Sequence, residues 1–155
     1  MIRITTRGRY ALRAMVDLAL HSRDEPVARQ DIAERQGISA DYVAQLFQDL
    51  QEAALVESMR GPGGGYCLAR DADAISTKDI VEAAEGPIAL VYCVDPHGDV
   101  CCGRADRCVT HGLWKELSVA MQEFLDGVTL QDLCDEARQR RPSSAKHAAI
   151  GAAES

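Results

Sequence analysis

The sequence predicts a mainly α-helical fold with a small β-wing: a winged helix-turn-helix domain followed by a long dimerisation helix. Three observations predict it. Apolar residues recur at helical spacing in Arg9–His21 and again from Ala40 onward. A short segment ending at Gly37 sits between helical patterns, and Ser39 is placed to cap the second of that pair. Directly after it, two β-prone arms flank the glycine-rich stretch RGPGGG.

Each element follows from local signals. RYALRAMVDLALH puts Leu12, Met15, Val16, Leu18 and Ala19 at helical spacing, with Gly8 expected just ahead of the helix. Pro26 interrupts the chain, and residues 27–36, VARQDIAERQ, read as a short helix with Ile32 and Ala33 inward and Gly37 at its end. Residues 40–54 form the next helix, its inward stripe Tyr42 or Val43, then Leu46, Phe47 and Leu50. Residues 55–59 and 66–69 make a hairpin around the glycine turn. Ser76 or Thr77 caps a helix running to Glu85. PIALVYC is a short extended lead-in to a cysteine-rich loop. A longer helix is expected from about Ala105 to Asp126, apolar at Leu113, Leu117, Ala120, Met121, Phe124 and Leu125. Thr129 caps a final helix, Leu130 to Arg138, and the remainder has no apolar periodicity, as a disordered tail would. The expected organisation is therefore a DNA-binding domain over 1–85, a ligand loop over 86–111, a dimerisation and a C-terminal helix over 112–138, and a tail over 139–155.

Charge is unevenly spread. The net charge is −7, yet residues 1–70 balance nine Arg against nine Asp and Glu, and residues 71–126 alone carry −7. The Arg-rich front half can present a basic face; the acidic middle cannot be a nucleic-acid surface. No run approaches the roughly 18 apolar residues of a membrane span, and MIRITTRGRY has no signal-peptide core. A cytoplasmic setting is expected, where thiols stay reduced and clustered cysteines point to metal or redox chemistry.

The glycine run is no nucleotide site: GK[ST] is absent, and GPGGGY lies between strands and lacks the last glycine of GxGxxG. As a wing it brings backbone close to phosphates and sends Arg60 toward a minor groove. At the start of the preceding helix, Ser39, Asp41 and Gln45 are polar and outward, where a helix-turn-helix meets base edges; Gln pairs with adenine and Asp accepts from cytosine. Arg3, Arg7 and Arg9 are candidate phosphate clamps.

CVDPHGDVCCGRADRCVTH holds four of the six cysteines and two of the four histidines. Cys93, Cys102, Cys108 and His111 make a full set of three thiolates and an imidazole, with five residues between Cys102 and Cys108 and two more before His111. Cys101 is the alternative middle ligand; Cys67 and Cys134 read as packed small hydrophobes. Soft sulfur ligands select zinc, copper(I) or iron–sulfur clusters. Zinc knuckles favour CxxC, absent here; mixed Cys and His ligation is known for [2Fe–2S] centres.

With ITTRGRYALRAMVDLAL, AERQGISADYVAQLF, LVESMRGPGGGYCLAR and CGRADRCVTHGLWKEL in this order, residues 1–138 resemble the IscR family of winged-helix bacterial transcription factors. The resemblance implies a homodimer on a palindromic duplex DNA site, a [2Fe–2S] cofactor on Cys93, Cys102, Cys108 and His111, and Ser39, Asp41, Tyr42, Gln45, Arg60, Gly61, Pro62, Gly63, Gly64 and Gly65 facing DNA. The gap of eight residues from Cys93 to Cys102 is longer than the family's usual five. That keeps Cys101 in play, together with a [4Fe–4S] sensor of nitric oxide or iron. A zinc-stabilised regulator and an electron carrier are the other readings; no catalytic constellation points to an enzyme.

Overall fold

The computed structural model describes residues 4–23, 25–95 and 102–140. Helix α1 (Thr6–His21) is the hub, against which α2 (Arg29–Gln36), α3 (Ala40–Glu52), α4 (Thr77–Glu85) and α6 (Leu130–Arg140) all pack. Strands β1 (Val56–Met59) and β2 (Gly65–Leu68) pair antiparallel, Val56 opposite Leu68 and Met59 opposite Gly65. Helix α5 (His111–Asp126) lies against α4. The fold is mainly helical with one small two-stranded wing, as the sequence predicts.

The core lies between α1 and its neighbours. Met15, Leu18, Ile32, Val43, Leu46, Phe47, Leu50, Leu55, Ile75, Ile80 and Leu130 are fully buried, and Ala11 and Ala14 give α1 a low-relief face. Each large apolar side chain contributes roughly 1.5–3 kcal/mol by leaving water. Capping sets the helix starts. Ser39 Oγ accepts from Tyr42 N at 3.1 Å. Ser76 and Asp79 form a reciprocal capping box at α4, and Thr129 and Asp132 exchange backbone–side-chain bonds of 2.9 and 3.1 Å at α6. Gly37 ends α2 at φ 65°, a left-handed conformation that suits glycine.

Several boundaries differ from expectation. Gly8 lies inside α1, not ahead of it, and is buried. Helix α2 starts at Arg29 because Val27 is drawn into the wing: Val27 and Tyr66 exchange backbone bonds of 2.8 Å in both directions. The extended lead-in expected over residues 87–93 gives way at Tyr92–Val94 to a 3-10 turn. The helix expected from Ala105 breaks in two. Ala105–Arg107 is a single 3-10 turn, Cys108 is extended at φ −86°, ψ 110°, and α5 begins only at His111. The β-branched pair Val109–Thr110 is a poor helix nucleus. Helix α6 continues past Arg138 to Arg140.

Candidate nucleic-acid interface and ligand loop

Helix α3 buries Val43, Leu46, Phe47 and Leu50 and leaves Asp41 and Gln45 exposed on its opposite face. Ser39 holds the N-cap, so its hydroxyl oxygen already accepts from the helix. Tyr42 is half-buried, edge-on to Tyr10 with ring centroids 6.0 Å apart. The Arg13 guanidinium lies 4.9 Å from the Tyr10 centroid and also bonds Gln36 at the end of α2. The tip of α3 is thus braced against α1.

The wing joins this helix through Phe47, whose ring lies 4.4 Å from that of Tyr66, and through Gln51 Nε2 donating to Ser58 Oγ at 3.0 Å. Arg60, Gly61, Pro62 and Gly63 are exposed, and Gly64 and Gly65 half-buried. Gly61 and Gly63 adopt φ 101° and 75°. A Cβ on Gly64 would sit 2.3 Å from Met59 O, and one on Gly65 2.2 Å from Val27 O. The glycines therefore serve the turn itself as well as any close approach to phosphate.

The candidate clamps fare differently. Arg9 is exposed, and its side chain has no partner among the described residues. Arg7 is engaged: its guanidinium pairs with Asp49 on α3, Nε to Oδ2 at 3.1 Å. Arg3 lies outside the described residues. Sequence reasoning passed over Arg29, exposed at the first position of α2. Burial raises the Tyr66 phenol above its usual pKa, and the Arg29 charge opposes that rise. With the second helix taken to start at Val27, Arg29 had no distinct place; the Val27–Tyr66 bridge gives it one beside the wing.

Cys93 is half-buried in the 3-10 turn Tyr92–Val94, Cys102 is half-buried, and Cys108 is exposed. His111 opens α5, its N–H donating to Cys108 O at 3.1 Å. Cys108 Sγ lies 3.2 Å from Thr110 Oγ1. That hydrogen bond, followed by the Thr110 backbone, holds the Cys108 thiol below its ordinary pKa. Nδ1 of His111 is buried with no hydrogen-bond partner among the described residues. The structure thus brings Cys108 and His111 together at the head of α5. It does not gather all four predicted ligands: among the described residues no group of three or more His, Cys, Asp or Glu converges tightly enough to hold a metal ion. Cys101 lies outside them. Cys134 is buried among core residues, and burial raises its thiol pKa, in keeping with a packed small hydrophobe.

The donor chemistry nonetheless suits a soft-metal group: Cys93, Cys102 and Cys108 are free thiols among the described residues, Cys108 is acidified, and the buried imidazole nitrogen of His111 lacks a partner there. The family model described as an iron-dependent transcriptional regulator, Rrf2, matches residues 4–136. The chain belongs to the Rrf2 family. The HTH-type transcriptional regulator IscR of Yersinia enterocolitica is 47% identical over 132 residues, 85% of this chain and 79% of that protein. IscR of Sodalis glossinidius is likewise 47% identical, covering 85% and 78%. Among solved Rrf2-like structures, T. potens IscR superposes with a TM-score of 0.72 at 34% identity, covering 92% of this chain and 93% of that one. CymR, the global cysteine regulator of B. subtilis, gives 0.70 at 38% identity, covering 88% and 98%. The Rrf2 chain described here is accordingly a DNA-binding transcriptional regulator and not an enzyme. Among its described residues no helix is long and apolar enough to cross a membrane.

Proposed function

We propose that this Rrf2 regulator binds a palindromic duplex site as a homodimer and reports iron–sulfur supply through a [2Fe–2S] cluster on Cys93, Cys102, Cys108 and His111. The observation that carries the ligand reading is the buried Nδ1 of His111, unpartnered among the described residues, three positions after the acidified Cys108 thiol. An unsatisfied buried nitrogen costs about 1–3 kcal/mol, and a bond to a metal removes that cost. The IscR names of the relatives support the same reading. When bound, the cluster supplies an iron centre whose occupancy follows the cell's iron–sulfur supply.

The chain's own residues do the rest. Asp41 and Gln45 read base edges from the first turns of α3. Arg60 enters the minor groove from the wing, Arg9 and Arg29 neutralise phosphates, and the Gly61–Gly65 turn lets backbone approach the duplex. Leu113, Leu117, Ala120 and Phe124 recur at 4-3-4 spacing on α5, and the three large ones are 56%, 41% and 72% exposed. That is the seam two copies of α5 pair along, fixing the distance between recognition helices.

Anaerobic purification tests the cofactor, followed by a visible spectrum and iron and sulfide assays on wild type, His111→Ala, Cys102→Ala and Cys101→Ala. Equal iron and sulfide with a visible chromophore, weakened by His111→Ala and Cys102→Ala, is the expected result. Loss of colour in Cys101→Ala alone moves the middle ligand to Cys101. A doubled iron count gives the [4Fe–4S] reading, and a colourless zinc protein overturns the cluster altogether.

A further inference from the structure

Glu85 is the last residue of α4, yet it caps a different helix. Its Oε1 accepts from Thr5 N at 2.8 Å, Thr5 Oγ1 at 2.7 Å and Gly8 N at 2.9 Å. The approach is close enough that a Cβ on Gly8 would lie 2.3 Å from that oxygen. One carboxylate thus satisfies two of the free N–H groups at the start of α1 and places a charge at the positive end of its dipole. The turn it holds carries Arg7, which is tied to Asp49 on the recognition helix, and Arg9, which is free for phosphate.

On its other side Glu85 leads directly into the ligand loop. Gly86 turns the chain at φ 87°. Two bonds then pin the following strap to α5: Gln122 Nε2 donates to Ile88 O at 2.8 Å, and Leu90 N donates to Ser118 Oγ at 3.2 Å. Ser118 is the one buried residue of α5. Three residues beyond Leu90 stands Cys93, and His111 opens the helix that Ser118 belongs to.

We infer that Glu85 is a positioning residue for DNA binding, which transmits the state of the Cys93–His111 loop to α1 and, through Arg7 and Asp49, to α3. Any shift of the strap relative to α5 pulls on the residue that holds the first turn of α1. The inference rests on the ligand reading of the loop, and its test separates the two.

Affinity is measured for the full chain, with and without reconstituted iron and sulfide, on a duplex selected by the loaded wild type from a random-sequence pool. In wild type the two affinities differ by about fivefold or more. Glu85→Ala brings their ratio to near one with unchanged iron content, and Glu85→Gln, which keeps an acceptor oxygen, preserves it. A purely structural role would lower both affinities together and leave their ratio alone; a ratio retained in Glu85→Ala overturns the inference. Should Glu85→Ala not melt cooperatively, Ser118→Ala combined with Gln122→Ala, which unpins the strap from α5, carries the same expectation and the same overturning result. A wild type that binds no iron brings down the ligand reading and the inference with it; one that binds iron but whose affinity ignores it brings down the inference alone.

Discussion

Asp17 shows what single residues decide here. It lies on α1 with 4% of its surface exposed, receiving Arg35 through Nε and Nη2 at 2.9 and 2.8 Å and Gln36 Nε2 at 2.9 Å. The pairing raises the Arg35 pKa, chiefly through the hydrogen bond, and it anchors the end of α2 to α1. Asp17→Ala leaves these donors unpaired and is expected to cost about 2–3 kcal/mol in urea unfolding. At the wing, Gly65→Ala drives a methyl into Val27 O. Breaking the Val27–Tyr66 bridge should cost about 2 kcal/mol or more and weaken DNA binding, checked by melting and by a duplex titration. The sequence displays glycines openly, so the wing was legible. Asp17, Glu85 and Arg29 were not, because an isolated charge declares its partner only once remote helices pack.

At the level of elements, legibility tracked locality. Ser39 with its stripe of Val43, Leu46, Phe47 and Leu50, and Ser76 with Asp79, encode start and inward face within a few residues, and α3 and α4 start where those signals put them. Helix α5 carries two apolar stripes. Trp114, Met121 and Leu125 turn inward with Ser118, while Leu113, Leu117, Ala120 and Phe124 face out. Periodicity alone merges them and also ran the helix back to Ala105, across a turn set by the bond from Cys108 N to Ala105 O and the extended Cys108. The outward stripe yields a prediction for the proposed pairing. Leu117→Asp with Phe124→Glu should convert dimer to monomer in sedimentation, leave far-UV dichroism intact, and lower affinity for a two-half-site duplex at least tenfold, about 1.4 kcal/mol. An unaltered dimer would place the subunit contact elsewhere.

For the whole molecule, the acidic excess of residues 71–126 sits in the chain after the Arg-rich front half, so electrostatic attraction to DNA depends on few cations. Each phosphate contact contributes about one unit to the salt dependence of binding. Arg9→Ala should therefore reduce the slope of log affinity against log salt by about one per chain, measured by titrations at several salt concentrations. An unchanged slope would take Arg9 off the phosphates. The candidate ligand set is likewise spread along the chain: its residue types were plain in sequence, whereas Cys93 stands in the 92–94 turn, Cys102 and Cys108 in the 102–110 segment and His111 at the head of α5, and the structure does not gather them.

Helix α6 comes back to where the chain began. Leu130 is fully buried and its N–H donates to Ile75 O at 2.8 Å; Thr77 N donates to Val128 O at 2.8 Å, and Thr77 Oγ1 to Leu125 O at 2.7 Å. The α1–α4 head is therefore finished by residues that follow α5. A graft of residues 1–85 onto a foreign dimeriser would lack that closure and should be lost to proteolysis, whereas one that replaces only the outer face of α5 should survive. The proposed pairing face can thus be exchanged while the α1–α4 head stays sealed.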